Sequence, residues 1–461
     1  MHDTSKRPFG ARDKIGYLFG DFGNDFTFIL STTILMKFYT DVMDVPAAAV
    51  GVIMMIARFV DAFTDVTMGR VCDRSRVTPA GKFKPWILRM CGPVALASFL
   101  MYQSGLVSMP MIFKIGYLFV TYILWGSVFY TAINIPYGSM ASAISAAPGD
   151  RQSLSTCRTM GGMLAGAVIG VLLPLIAYQK VGGQETLVGS RVTVIAGIFS
   201  VLAVGCYLLC YRLATERVQP QQETKQTHST MQMLKNAVKN RALLSIIAAS
   251  IVMLLAQLTM QGMAGYIYPE YYNSAAAQSV STVAMMGAML ICAVLAKPLA
   301  AKFGKAEVAV VSNFFAAGVC LLTFFLRPQN VWVFVSLQTL NWLGLGIFSM
   351  VSWALITDVI DYAEVKNGIR EDGSVYALYS FARKLGQAAA AGLSGALLSM
   401  IGYTEQTKAQ PQVLEGVFNI STLVPAIGFA LLALILWLWY PLHKKQVDAN
   451  VKALEEKHRQ A

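Results

Sequence analysis

Apolar runs of about 20 residues recur along the 461-residue chain, each the length that an α-helix needs to cross the hydrocarbon core of a bilayer. Their positions predict helices near 15–40, 46–69, 85–106, 111–140, 153–178 and 191–213. A second set is predicted near 242–268, 280–301, 305–326, 331–361, 372–402 and 414–442. One stretch breaks the rhythm: 214–241 contains TERVQPQQETKQTHST and no apolar run. It separates an N-terminal six-helix bundle over 1–213 from a C-terminal six-helix bundle over 242–442, and a polar tail follows over 443–461. The pattern predicts an all-α membrane protein of twelve transmembrane helices, arranged as the two halves of a paired repeat. The halves echo each other weakly, in basic loops after helix 2 (GRVCDRSRVTPAG, 69–81) and helix 8 (AKPLAAKFGK, 296–305).

Composition changes the picture in one respect, the solvent. Hydrophobic residues make up 56% of the chain and charged residues 13%, against roughly 25% charged in a soluble protein. Too little charge remains to cover a water-facing surface, and the mean hydropathy of +0.54 agrees, so lipid is the expected surroundings. In a soluble chain the net charge of +12 would suggest a nucleic-acid partner. Here it reads as cytoplasmic loops retained by Lys and Arg, and no nucleic-acid partner is expected. Arg70, Arg74, Arg76, Lys82 and Lys84 follow helix 2, and Lys444, Lys445, Lys452 and Lys457 lie in the tail, while the loops after helices 1, 3 and 7 carry almost no positive charge. Both termini are therefore expected in the cytoplasm, with the chain multi-pass in the cell's inner or plasma membrane. The seven cysteines form no CxxC pair, and the four histidines fall outside the apolar segments. The cysteines therefore read as small core residues and not as a disulfide or metal framework, histidine is removed from any intramembrane proton relay or metal site, and no cofactor is expected.

Ionisable residues inside membrane helices are costly and mark function. Helix 2 reads ARFVDAFTDVTMG, which puts Asp61 and Asp65 on one face, with Arg58 a turn before and Thr64 beside them. Two such carboxylates need a cation or a proton between them, and carboxylate plus hydroxyl oxygens suit a hard cation such as sodium. The plain alternative is an ion pair with Arg58 that only joins helices. Helix 1 carries Asp21 and Asp25 on one face, with Gly20 and Gly23 leaving room for a close neighbour. Tyr130, Thr131 and Asn134 offer polar groups at helical spacing in helix 4, either for a ligand or for hydrogen bonds between helices. Arg158, early in helix 5, can grip hydroxyls or a carboxylate, or can snorkel to the surface. Lys384 lies about a dozen residues into helix 11, and Trp353 and Tyr379 can offer flat faces to a sugar ring or serve packing alone. Asp21 and Lys37 receive no role from the sequence.

In order along the chain, KFYTDV (37–42), RFVDAFTDVTMGR (58–70), GKFKPW (81–86), YTAINIPYGS (130–139), DRQSLSTCR (150–158), DVIDYAEVKNGIREDGSVY (358–376) and Lys384 in SFARKLGQA form a specific set. With them the chain resembles the glycoside–pentoside–hexuronide cation symporters, a branch of the major facilitator fold that includes melibiose and glucuronide carriers. The resemblance covers nearly the whole chain. It implies cation-driven sugar uptake by alternating access, coupled to Na+ or H+. Asp61 and Asp65 correspond to the cation-site acids, joined by Thr131, with Thr64 where the melibiose carrier has an asparagine. Asp25 corresponds to a sugar-binding acid, Arg158 to the helix 5 arginine, and Lys384 to a lysine near the cation site. Asn24 stands in place of a lysine, Asn134 in place of a sugar-binding aspartate, and Gly138 in place of a tryptophan that stacks on the sugar. NIPYG and SFARK look more like the glucuronide carriers, so an acidic glycoside is the expected substrate class.

Tyr130, Asn134, Trp353 and Tyr379 complete the expected sugar site beside Asp25, Arg158 and Lys384. Arg74, Arg151 and Arg370, with Asp358 and Asp361, are expected to pair as a cytoplasmic gate. A membrane enzyme would need catalytic acids or a metal motif in a sizeable loop outside the membrane, and the longest loop, 214–241, has neither. A sugar sensor or an uncoupled facilitator is the remaining alternative. The fold needs no protein partner, so a monomer is expected.

Overall fold

The computed structural model describes residues 7–218, 240–367 and 372–460. Twelve long helices occur in the predicted order. They are α1 (Ala11–Lys37), α2 (Ala47–Arg74), α3 (Lys84–Leu100), α4 (Met111–Ile144), α5 (Pro148–Ala177) and α6 (Gly189–Leu213) in the first half. In the second half α7 (Arg241–Tyr266), α8 (Ala275–Phe303), α9 (Lys305–Leu326), α10 (Val331–Asn367), α11 (Asp372–Met400) and α12 (Pro411–Leu434) follow. Among the described residues, nine of these are long and apolar enough by themselves to cross a membrane. The other three are α1, with Asp13, Asp21 and Asp25, the 17-residue α3, and α11, which carries Arg383 and Lys384. Their polar content is accommodated by the neighbouring helices, which satisfy it in place of lipid. Large apolar side chains such as Ile112, Val294 and Phe325 lie on the outside, between 74% and 83% exposed.

The chain forms two compact units, Met1–Thr224 with Gly395–Gln410, and Lys225–Ser394 with Pro411–Ala461. Within the first, α1 packs along α5 and α6, α3 along α6, and α2 along α4. Within the second, α7 packs along α12, α9 along α12, and α8 along α10. The two sets of partners correspond, as a repeated bundle requires. The halves also end their first helices alike. A π turn over Phe38–Val42 closes α1, and another over Ile267–Tyr271 closes α7. Val45 N–H then bonds to Tyr39 O as Ser274 N–H bonds to Tyr268 O, and Asp44 and Asn273 both take left-handed backbone, with φ of 56° and 50°. Aspartate and asparagine are the non-glycine residues that tolerate that region best.

Close approach explains the glycines of α1. A Cβ on Gly20 would fall 2.2 Å from the Tyr137 ring of α4, and one on Gly161 of α5 would fall 2.4 Å from Leu18 O of α1. The apolar pattern did not foretell two local elements. A two-stranded antiparallel hairpin, β1 (Tyr178–Val181) and β2 (Gln184–Leu187), joins α5 to α6 through Gly182 and Gly183, both at positive φ. A further helix, α13 (Lys444–Gln460), occupies the polar tail. Both are short or polar, which leaves them outside a search keyed to 20-residue apolar runs. Gly-Gly between two strands is nonetheless a recognised hairpin signal.

The polar stretch that begins at 214 is pinned at its start. Glu216, 5% exposed, accepts the backbone N–H groups of Lys82, Phe83 and Lys84 at 2.7, 2.9 and 2.7 Å, at the N-terminus of α3. That end of a helix favours an anion. Arg217 pairs with the fully buried Asp13 at 2.9 Å and donates to the carbonyls of Ile144 and Thr215. Glu216→Ala strands three N–H groups, and we expect it to lower the unfolding free energy by about 3 kcal/mol. Thermal unfolding in detergent checks this, with uptake per folded molecule unchanged.

Candidate functional site

Two clusters of polar side chains in the first unit bring α1, α2, α4, α5 and α6 together. In the first, Asp61 and Asp65, one turn apart on α2, meet residues one turn apart on α4. Ser127 Oγ donates to Asp61 Oδ1 at 2.5 Å, and Thr131 Oγ1 donates to Asp65 Oδ1 at 2.8 Å. Both pairs have a sequence separation of 66, so the two helices run in register here. The π turn of α4, Leu124–Tyr130, contains Ser127 and delivers Thr131 at its end, a kind of widened turn common at functional positions. Arg58 pairs with Asp61 at 3.2 Å, with its guanidinium 5.0 Å from the Phe28 ring centroid and 5.9 Å from that of Tyr122. A Cβ on Gly126 would sit 3.5 Å from Asp61 Oδ1, in ordinary van der Waals contact, so the glycine lies beside the carboxylate. Thr64 turns its hydroxyl back to its own helix, donating to Asp61 O at 3.2 Å, and so its hydrogen points away from the carboxylates.

In the second cluster Arg158 of α5 reaches α1. Its Nε pairs with Asp21 Oδ1 at 3.0 Å, and its Nη2 faces Asn134 Oδ1 of α4 at 3.5 Å. The same oxygen accepts from Asn24 Nδ2 at 3.3 Å, and Asn24 Oδ1 accepts from Tyr207 OH of α6 at 2.8 Å. The Arg158 guanidinium lies 5.3 Å from the Tyr137 ring centroid, and Tyr137 stacks on Tyr17 at 4.6 Å. Asp25, one turn beyond Asp21, is packed against bare backbone: a Cβ on Gly162 would lie 2.5 Å from Asp25 Oδ2 and 3.2 Å from Asp21 Oδ2. Tyr130 stacks on Phe28 at 5.6 Å and neighbours Trp125 at 5.5 Å. Arg158 therefore holds Asp21, an acid without a role in the sequence reading, and leaves Asp25 to other work.

In the second unit Trp353 and Tyr379 meet edge to face at 5.2 Å, and the Arg383 guanidinium stands 5.7 Å and 5.9 Å from their ring centroids. Tyr379 is fully buried and takes a hydrogen bond from Ser250 Oγ at 2.9 Å. Its ring is used in packing, whereas Trp353 is 41% exposed. Lys384 follows Arg383 on α11. Of the expected gate residues, Asp358 pairs with Lys305 of α9 at 2.6 Å, inside the second unit. Arg151 Nε donates to Ser145 O at 2.9 Å within the first, and Arg74 is exposed. Asp361 sits one turn beyond Asp358 on α10, and Arg370 lies outside the described residues.

Sequence reading missed Ser127, Tyr207 and Arg383. Ser127 carries a signal in its spacing, four residues before Thr131. Tyr207 carries none, because a tyrosine in an apolar helix looks like packing until its partner is seen. Lys37, without a role from the sequence, forms a buried cluster at the far end of α1. Its Nζ lies 2.8 Å from Asp41 Oδ2 and 2.8 Å from Tyr403 OH, and Lys408 bonds to Glu405 at 2.7 Å beside them.

A family model described as MFS/sugar transport protein matches residues 16–444. The chain is 32% identical over 460 residues to the uncharacterized symporter YjmB of Bacillus subtilis (strain 168), covering 99% of this chain and 97% of that protein. It is 31% identical over 452 residues to an isoprimeverose transporter of Lactiplantibacillus pentosus (97% and 92% covered). To a glucuronide carrier protein homolog of Escherichia coli (strain K12) it is 28% identical over 450 residues (97% and 96%). The fold is that of a crystallised D-xylose–proton symporter, with a TM-score of 0.64 at 15% identity over 93% of this chain and 97% of that one. With its twelve helices and its interior charges, the chain belongs to the MFS/sugar transport protein family, as a multi-pass membrane transporter of the glycoside–pentoside–hexuronide type and not an enzyme.

Proposed function

We propose that this sugar transporter is a symporter that carries an acidic glycoside inward with a monovalent cation, Na+ or H+, with both termini in the cytoplasm. The observation that carries the reading is the pairing of Asp61 with Ser127 and Asp65 with Thr131. Two carboxylates one turn apart repel each other, and a cation or proton between them removes that repulsion. An oxygen-only set of carboxylates and hydroxyls suits a hard ion. Filling it draws α2 and α4 together. Arg158, Asn134 and Asp25 share α1, α4 and α5, and α4 also carries Ser127 and Thr131, so ion and sugar act on a common helix. Linkage then requires each to raise the other's affinity by the same factor. The relatives include carriers named for a sugar acid and for a neutral sugar. The acidic reading rests on Arg158, whose guanidinium keeps N–H groups beyond the one given to Asp21, and on an amide at Asn134 where an acid would repel a carboxylate.

Uptake of a labelled glucuronide and a labelled neutral galactoside into vesicles, under an imposed sodium or proton gradient, tests the whole reading. Accumulation of the glucuronide above equilibrium under one gradient is the expected result. Downhill flux alone, with protein folded and inserted, would make the chain a facilitator. Ser127→Ala removes a hydroxyl from the ion cluster. A hydrogen bond to a charged group is worth about 1.5–3 kcal/mol, so the cation concentration for half-maximal uptake is expected to rise by about tenfold or more. The sugar affinity at saturating cation is expected to stay within about twofold of the wild type, since Ser127 touches α2 and not the Arg158 cluster.

A further inference from the structure

We propose that Tyr207 and Asn24 are positioning residues that hold the Asn134 amide with its NH2 toward the substrate, and thereby strengthen the preference for a carboxylate-bearing sugar over its neutral counterpart. The proposal rests on the reading of Arg158 and Asn134 as sugar contacts.

An asparagine presents an acceptor at one end of its amide and two donors at the other, and exchanging them inverts what it recognises. Arg158 removes that freedom at Asn134, and two further neighbours reinforce the result. Arg158 has only N–H groups to offer, so the Asn134 atom 3.5 Å from Nη2 must be the carbonyl oxygen. The reversed amide would set NH2 against a guanidinium. The same oxygen lies 3.3 Å from Asn24, which must therefore show its own NH2 there. That leaves the Asn24 oxygen at the opposite end, where Tyr207 OH donates to it at 2.8 Å. Asn24 and Tyr207 are each 1% exposed, so no water competes for these bonds. The Tyr207 hydroxyl can donate or accept, so the charge of Arg158 sets the direction of this chain, and the buried bonds from Asn24 and Tyr207 hold the amide in it.

The consequence falls on the atom left over. Asn134 is half-buried, and among the described residues none accepts a hydrogen bond from its Nδ2. Its NH2 and the remaining N–H groups of Arg158, a side chain 40% exposed, together make a continuous donor surface. A carboxylate brings only acceptors and satisfies such a surface completely. A hydroxymethyl group in the same place brings one hydrogen that finds no acceptor. Asp25, one turn from the Asp21 that Arg158 holds, supplies the acceptor that the sugar hydroxyls need. The acceptor and donor ends of the site are thus separate, and Tyr207, buried on α6 and two residues removed from the ligand, keeps them so.

The test compares an aryl glucuronide with the matching aryl glucoside, which differ only at C6, in vesicles containing wild type, Tyr207→Phe, Asn134→Asp and the double variant. The readout is the ratio of kcat/KM for the two sugars. Tyr207→Phe is expected to lower the glucuronide-to-glucoside ratio about fivefold, as for one hydrogen bond. In the Asn134→Asp background, where no amide remains to orient, Tyr207→Phe is expected to leave the ratio unchanged. A fall of equal size in both backgrounds, or none in either, overturns the proposal, because a role confined to packing acts without regard to Asn134. Should Tyr207→Phe fail to reach the membrane, Asn24→Ala asks the same question without adding charge. It removes the donor to Asn134 Oδ1, and the ratio is expected to fall about fivefold, whereas an unchanged ratio overturns the proposal. A wild type that carries neither sugar overturns the substrate reading and this proposal with it. A wild type that prefers the glucuronide while the variants keep its ratio overturns this proposal alone.

Discussion

Asp61→Asn is expected to abolish gradient-driven accumulation while leaving a folded protein in the membrane. The substitution keeps the volume and the hydrogen bond to Ser127 but removes the charge that pairs with Arg58 and that the proposed coupling ion would share. Removing one partner of a buried pair costs about 3–5 kcal/mol. Lost from ion binding, that is more than about a hundredfold in affinity. The uncharged amide also leaves Arg58 facing the site without this counter-charge, which repels an incoming cation. Asp61 touches neither Arg158 nor Asn134, so on the proposed reading sugar still binds, with an affinity lowered by the lost linkage, and exchange of labelled for unlabelled sugar down its gradient is expected to persist at a reduced rate. Measuring concentrative uptake beside exchange, in the same vesicles, separates the two. Wild-type accumulation by the Asp61→Asn variant would remove Asp61 from the coupling site.

The second large effect belongs to Arg158. Arg158→Met retains much of the length and the apolar stem of the side chain and deletes every donor. Two consequences follow and have to be separated. Asp21, 8% exposed, loses its ion pair, which is a cost in stability. On the proposed reading the substrate also loses a charge-assisted contact, which is expected to lower kcat/KM for an acidic glycoside by about a hundredfold or more. Adding Asp21→Asn neutralises the stranded acid. The double variant is expected to recover most of the melting temperature and none of the uptake. Recovery of uptake along with stability would show that Arg158 serves Asp21 alone.

Much of this architecture can be read from the sequence because lipid imposes a simple rule. Helices must be long and apolar, so the runs that became α2, α4 to α10 and α12 stand out even where their ends slip by several residues. The same rule made the buried acids conspicuous: Asp61, Asp65 and Asp25 attract notice because lipid would reject them. What the sequence could not supply is pairing. Asp21 and Asp25 have the same spacing as Asp61 and Asp65, and only the approach of α5, permitted by Gly161 and Gly162, decides that Arg158 takes Asp21. Thr64 lies next to two carboxylates in sequence, yet its hydroxyl returns to Asp61 O because a helix offers that acceptor one turn back. Ser127 is reached only once the π turn of α4 has rotated it toward α2. The fold follows from hydropathy; the partners follow from helix rotation, which hydropathy does not encode.

The matching ends of α1 and α7 fix a register between the halves. Phe38 and Ile267, Tyr39 and Tyr268, Asp44 and Asn273 stand 229 positions apart, and the same shift carries Ala47–Arg74 onto α8. Such a register is what a paired structural repeat requires. Carried through it, Arg58 falls on Gly287, Asp61 on Leu290, and Asp65 on Val294, while Asp21 falls on Ser250 and Asp25 on Leu254. None of the four acids has an acidic sibling. The two halves share their bends and differ in their chemistry: at these four positions the second half carries no carboxylate, and Leu290 and Val294 turn apolar side chains outward where α2 holds its acids.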